Sequence, residues 1–412
     1  MSKKTPIKAG TKTFIIKKSK SNEKTIKQFS VLAGSSRTQN KALDLVLETT
    51  DTKSPFVSIK QLDKPKVNLN FGDMAEGVVA AAIATRFVNK NKDITTQDVG
   101  DLLDELASMS IKNYPGKSGK FVEKNFKSPN KNKNTVDTVR LYISLADVNM
   151  SNLLDPKNRK SLEPYINSAI IYANSNHVST WAISLYENNR FDTIEVISDG
   201  LGGQGKTKVD VFVKVTNDKN KLVPVDINLS MKAGDVKQFG QVSGAEFEKQ
   251  MELWERLFGY GDSIKSLKPA YDKLMFKAKK PDEAVTLVYK KIETLLKIDL
   301  SGKKSSVRLK KLSEAINYFA TLGEENVSLL QLGSGSATIY NFQDIYSKIL
   351  GKKFTARIET GKSDLPSLII FSGDKDLIRF RVKQEFKPDG SPYIRNYIEK
   401  EKMLTDLLAV NL

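Results

Sequence analysis

Two short stretches of this sequence carry side chains whose types and spacing suit phosphate chemistry. Residues 200–207 read GLGGQGKT, which fits the pattern G-x-x-x-x-G-K-[ST]. In that pattern the lysine and threonine, here Lys206 and Thr207, meet a nucleotide's phosphates and its magnesium. A few residues on, Asp210 lies in KVDVFVKV, and Ser230-Met231-Lys232 close the run VPVDINLSMK. A carboxylate and a lysine on neighbouring strands suit metal-assisted phosphodiester hydrolysis, which needs neither histidine nor cysteine. The chain has no cysteine and a single histidine, His177. Disulfides, zinc ribbons, iron–sulfur clusters, cysteine nucleophiles and multi-histidine metal centres are therefore excluded.

The two stretches need different elements to hold them. A P-loop requires a helix after its glycines, so that the helix N-terminus meets the phosphates. Here Val209, Val211, Val213 and Val215 alternate with Asp210, Phe212 and Lys214, the period of a strand. GLGGQGKT is therefore expected to connect two strands, with Lys206 in reach of a DNA phosphate. Further along, alternation places Asp226, Asn228, Ser230 and Lys232 on one face of the next strand. Val225, Ile227, Leu229 and Met231 take the other face.

This constellation resembles the PD-(D/E)xK, or restriction-endonuclease-like, nuclease superfamily. There a helix bearing an acid precedes three strands. An Asp in the second strand and a (D/E)-x-K in the third form the site, and a helix follows. The matching residues are Glu76 in the helix of DMAEGVVAAAIATRFV, Asp210, and Ser230-Met231-Lys232. The segment KAGDVKQFGQ after the lysine resembles endings seen in phage and restriction members, with Gln238 or Gln241 close to DNA or metal. The resemblance covers about residues 72–260 and is specific around 207–241. It implies an α/β fold with a mixed central sheet flanked by helices and a magnesium- or manganese-dependent DNA nuclease of bacteriophage type. Asp210, Glu76 and the Met231 backbone would hold metal, and Lys232 would act on the attacking water. Ser230 departs from the pattern, because it stands where the family has an acid. Glu76 is the substitute, since Asp226 lies roughly 13 Å along the strand from Ser230.

Other roles fit the same residues. Asp73 and Glu76 have capping-box spacing. Asp226 and Asn228 either contact DNA or satisfy backbone groups. Asp199 and Glu195 are further acids near the site, and His177 reads as a loop or helix-end residue without chemistry. In DLIRFRVK, Arg379, Arg381 and Lys383 share one strand face, and with Tyr393, Arg395 and Tyr397 they suit a phosphate backbone or a solvated sheet face.

The formal net charge is +18. The first thirty residues hold nine lysines against one glutamate, and residues 112–134 hold seven lysines against Glu123. Such a surface attracts polyanions, with DNA as the natural partner. The longest apolar stretch, near Gly77–Ile83, is too short to span a bilayer, and no signal-peptide core is present, which points to a cytoplasmic protein, in the host cell if phage-encoded. Cleaving both strands of a duplex is often done by two sites, which allows a homodimer.

The expected organisation is a basic β-rich arm at 1–70 and a nuclease-like core at 71–260 with a basic loop at 112–134. A basic helical region at 261–325 and a C-terminal α/β region at 326–412 follow. Segments 135–148 and 393–410 read as helices, and 95–109, 161–175 and 245–259 as further helices. The rival functions are a non-catalytic nucleic-acid-binding or virion protein that keeps a decayed nuclease fold, and a P-loop NTPase.

Overall fold

The structure is a computed structural model. It describes residues 12–17, 45–47, 56–61 and 70–412, except 91, 115–118, 130–135, 189–190, 201–206, 218, 361–364, 387–390 and 411. The chain divides into two compact units, Met1–Leu69 and Asn70–Leu412. In the first, β1 (Lys12–Lys17), β2 (Leu45–Leu47) and β3 (Phe56–Gln61) form an antiparallel sheet with β3 central. FSVLAG, residues 29–34 of the arm expected to be β-rich, lies outside the described residues.

The second unit opens with α1 (Phe71–Asn89), which is buried along nearly its whole length from Met74 to Phe87. Its sequence is Ala- and Val-rich on all sides, so no face needs water. Gly77 lets it lie close on its neighbours: a Cβ there would meet Leu153 Cδ2 at 2.6 Å and Ile143 Cγ2 at 3.1 Å. Next come α2 (Thr96–Ala107), α3 (Asp147–Leu154), α4 (Arg159–Asn174) and α5 (Asn176–Glu187). A Thr95–Asp98 capping box starts α2.

A ten-stranded mixed sheet forms the body of this unit. Its strands are β4 (Lys112–Asn113), β5 (Lys120–Pro129), β6 (Val136–Leu145), β7 (Thr193–Ser198), β8 (Val211–Thr216), β9 (Leu222–Val223), β10 (Asn228–Ala233), β12 (Val327–Leu332), β13 (Ala337–Asn341) and β18 (Ala409–Val410). The spatial order is β18-β13-β12-β10-β8-β7-β6-β5-β4, with β9 on β8. Strands β7, β8 and β10 run antiparallel in turn, and β10 runs parallel to β12. A second sheet, in the order β11-β17-β16-β15-β14, consists of β11 (Gln238–Ser243), β14 (Thr355–Thr360), β15 (Pro366–Ser372), β16 (Lys375–Phe386) and β17 (Pro392–Lys400). Helices α6 (Phe247–Phe258), α7 (Pro281–Ser301) and α8 (Ser305–Thr321) share a core with it. There Trp254 meets the Tyr289 and Phe380 rings edge-on, at 5.2 and 5.4 Å between centroids. No helix among the described residues is long and apolar enough to cross a membrane.

Three segments differ from their sequence reading. Residues 136–145 form a strand, not a helix: Val139, Leu141, Ile143 and Leu145 alternate into the core. Much of the basic loop at 112–134 is strand, β4 and β5. Residues 392–400 form β17, and only Lys402–Leu408 (α10, after the short α9 at Ile345–Ile349) is helical near the end. The helices at 281–321 turn their apolar faces to the core of the five-stranded sheet.

Candidate active site

GLGGQGKT connects β7 to β8, which pair antiparallel with Ser198 opposite Val211. The element after the glycines is thus a strand, and the helix that a P-loop needs is not there. Gly200 has φ +31°, and a Cβ on it would lie 2.0 Å from the Ser144 carbonyl oxygen, so only glycine fits. The far end of the connection is pinned by Glu324, whose Oε2 accepts from Thr207 Oγ1 (2.8 Å) and from the Lys208 N–H (3.1 Å). Lys206 lies outside the described residues.

Immediately after this connection, β8 and β10 part. They pair only at Asn228–Phe212 and Leu229–Val211, whereas β10 continues beside β12 to Ala233–Leu332. The β8-side edge of β10 is therefore open from Ser230 onward among the described residues. Asp210, the residue just before β8 rather than inside it, covers this edge. Its N–H donates to the Leu229 carbonyl (2.7 Å), and its Oδ2 accepts the Met231 N–H (2.6 Å). The Ser230 hydroxyl also bonds the carboxylate. The Met231 carbonyl accepts from Lys232 Nζ (2.8 Å).

Helix α1 brings the other acids. It packs against β6, β7, β8 and β10. Its N-cap is Asn70, so Asp73 falls in the first helical turn and Glu76 in the second. The Asp73–Glu76 capping box expected from spacing does not form. Asp73 instead accepts from Asn149 Nδ2 (2.5 Å) and is bonded by Asn70. Glu76 Oε2 is buried and has no hydrogen-bond partner.

These groups act on one another electrically. Burial raises the Glu76 carboxyl well above its ordinary value, repulsion from Asp210 and Asp73 adds to this, and Lys232 offsets only part. Burial also raises Asp210, against the attraction of Lys232 and Lys208 and the Met231 and Ser230 hydrogen bonds. Asp73 is raised by burial and by Asp210. Lys208 is lowered by burial and by Lys232, with Asp210 opposing. Three acids and two lysines thus share one poorly hydrated site, and Glu76 is the member least compensated.

Lys208 and Asp73 belong to this cluster, although the sequence reading assigned Lys208 no role and Asp73 only a cap. The alternation that singled out Asp210 contained the signal for Lys208, two residues earlier with the same parity. The other proposed residues sit elsewhere. Asn228 opens β10, and Asp226 is exposed before it. Glu195 is paired with Arg140 at 3.3 Å. Asp199 donates its N–H to the Asp210 carbonyl (3.1 Å). His177 lies in the first turn of α5, near the Tyr172 ring.

Gln238, Gln241, Arg379, Arg381 and Arg395 all belong to the five-stranded sheet. Gln238 faces Glu399 and Gln241 faces Tyr397 across β11 and β17. Arg379 is held by Glu401 (2.8 Å) and Glu359 (3.1 Å), and Arg381 by Glu399 (2.8 Å). Those two guanidiniums already have carboxylate partners, which fits a charge-laddered sheet face better than a phosphate grip. Arg395 lies over the Tyr393 ring at 5.3 Å.

No family model matches the sequence, and no curated protein or solved structure matches it significantly. Among the described residues, no three His, Asp or Glu side chains are arranged as a ready metal-ligand set. The parting of β8 and β10 offers a smaller set of donors, two carboxylates and one backbone carbonyl. The orphaned Glu76 Oε2 and the mutual repulsion of Glu76 and Asp210 are what a bound dication would relieve.

Proposed function

We propose that the chain is a metal-dependent DNA nuclease hydrolysing phosphodiester bonds at the cluster of Glu76, Asp210 and Lys232. The observation that carries this reading is that residues 76, 210 and 232, far apart in sequence, share one buried charge cluster where β8 and β10 separate. The element order around them supports the resemblance to the PD-(D/E)xK superfamily. The acid-bearing α1 precedes β7, β8 and β10, which run antiparallel in turn, and α6 comes later in the chain; α2 to α5 and β4 to β6 stand between α1 and β7, and the two-residue β9 between β8 and β10.

Asp210, Glu76 and the Met231 carbonyl would hold Mg2+ or Mn2+. When bound, such an ion supplies Lewis-acid stabilisation of phosphoryl oxygens and acidifies a water. The Met231 carbonyl now carries the Lys232 ammonium. Once released, Lys232 Nζ has three donors with which to orient a water or neutralise charge on the phosphorane. The Met231 N–H and Ser230 hydroxyl fix the Asp210 carboxylate, so its free lone pairs point in one direction. Lys208, whose ammonium form is disfavoured by burial and by Lys232, is the second lysine in reach of a phosphate.

The test is cleavage of plasmid DNA with Mg2+ or Mn2+. Lys232→Ala and Asp210→Ala variants that cut as well as wild type would sink the assignment. One observation favours a non-catalytic DNA-binding protein: Ser230 fills the family's acid slot and spends its hydroxyl on Asp210. Salt-sensitive DNA binding without metal-dependent cleavage of any DNA form would select that reading.

A further inference from the structure

Elements that carry the cluster, α1 and β10, also border a cavity of about 700 Å³. It opens at the carboxyl ends of β10 and β12, the one adjacent parallel pair next to the carboxylates: Gly234 and Asp235 follow β10, and Gly333 and Ser334 follow β12. Crevices outside the carboxyl ends of parallel strands are where α/β sheets take ligands. Its other wall is α1 and α4, through Phe71 and Tyr165, whose rings stack at 5.2 Å and 22°. The Tyr340 ring lines it too, with Lys400 Nζ 4.7 Å from the centroid.

The walls are tied down. Ser168 Oγ bonds the Gly333 carbonyl (2.7 Å), Gln331 Nε2 bonds the Gly234 carbonyl (2.8 Å), and Lys400 Nζ bonds Gln331 Oε1 (2.9 Å) and the Val236 carbonyl (2.8 Å). The pocket is therefore preformed. Its chain neighbours are the catalytic candidates: Phe71 precedes Glu76 by five residues of helix, about 7.5 Å along the axis. Gly234 follows Lys232 by two.

We infer that this cavity is a nucleobase subsite, which takes an unpaired base of the strand whose phosphate lies at Lys232. The inference rests on the nuclease reading. Aromatic rings offer stacking surfaces, which any base accepts. The charged group on the lining is a carboxylate, Asp235, which repels a phosphate but accepts from the amino group of a base such as cytosine. Ser336 and Thr338 hydroxyls add donors and acceptors along the rim. The substrate is then single-stranded or locally opened DNA.

The experiment measures fluorescence anisotropy of a labelled twelve-residue oligodeoxycytidylate and of a base-free phosphodiester dodecamer, with Ca2+ in place of Mg2+. Wild type is expected to prefer the oligodeoxycytidylate at least tenfold. Tyr165→Ala should cut that preference about tenfold and Tyr165→Phe should keep it, since the ring does the stacking. Asp235→Ala, at an exposed loop position, gives a second reading should Tyr165→Ala not fold. Equal affinity of wild type for both probes, or an unchanged preference in both Tyr165→Ala and Asp235→Ala, overturns the subsite. Plasmid cleavage by a protein with no base preference overturns the subsite alone. Absence of both binding and cleavage overturns the nuclease reading and the subsite with it. A base preference without cleavage keeps the subsite and removes the nuclease.

Discussion

Glu76→Gln makes the sharpest use of the buried cluster. In the folded protein, burial and the charges of Asp210 and Asp73 hold the Glu76 proton well above its ordinary value of 4.5. Between the unfolded and folded pKa values the native state binds the extra proton, so stability falls as pH rises through that window. The slope from one such group approaches 1.36 kcal/mol per pH unit, at about 25 °C. For residues 70–412 the unfolding entropy is about 0.7 kcal/mol/K, so each pH unit moves the midpoint by about 2 °C. Melting curves of metal-free wild type and Glu76→Gln from pH 5 to pH 8 read this directly. The variant should melt above wild type, with a gap that widens by up to about 2 °C per pH unit until Glu76 ionises. Added Mg2+ should raise the wild-type midpoint by mass action and leave the variant unchanged. A variant less stable than wild type at pH 7, or a gap that does not vary with pH, would refute the electrostatic account of Glu76.

Other expectations follow from single contacts. Gly200→Ala places a Cβ against the Ser144 carbonyl and should destabilise by several kcal/mol, read as loss of soluble protein or a large fall in midpoint. Glu324→Ala frees Thr207 and the Lys208 N–H and should cost about 1–2 kcal/mol, with the 207–209 amides exchanging faster with deuterium. Lys400, 4% exposed, is pushed down to about 8, chiefly by burial. Its native state binds fewer protons between that value and 10.5, so wild-type stability rises with pH there. The stability of Lys400→Met relative to wild type should therefore fall between pH 7.5 and 9.5, by up to about 1.36 kcal/mol per pH unit in chemical denaturation.

The strands of the site could be read from sequence because their alternation was unambiguous: four valines at 209–215 and the run Ile227, Leu229, Met231. That periodicity also separated GLGGQGKT from a P-loop, since eight residues fit both but only a helix could follow one of them. Residues 138–145 carry the same strand period, with Thr138, Arg140, Tyr142 and Ser144 alternating with Val139, Leu141, Ile143 and Leu145, so the helix expected there ran against a signal the sequence contains. β17 was hidden for a different reason: its apolar residues fall in pairs, Tyr393-Ile394 and Tyr397-Ile398, at the four-residue spacing of a helix, just ahead of the helix that starts at Lys402. The parting of β8 and β10 was invisible, because it depends on β12 pairing in parallel with β10 from a hundred residues away. The helix frame of α1 was misplaced by three residues, which is why Asp73 read as a cap and not as a third acid.

The central claim is that Asp210 and Lys232 work on a phosphodiester. Its most direct measurement is the rate of plasmid cleavage in Mg2+ or Mn2+ by wild type, Asp210→Asn and Lys232→Ala, each checked for an unchanged melting profile. The account predicts metal-dependent cleavage by wild type and a fall of about 10²-fold or more in each variant. Undiminished cleavage by either variant, or no cleavage by wild type with either metal, would contradict it.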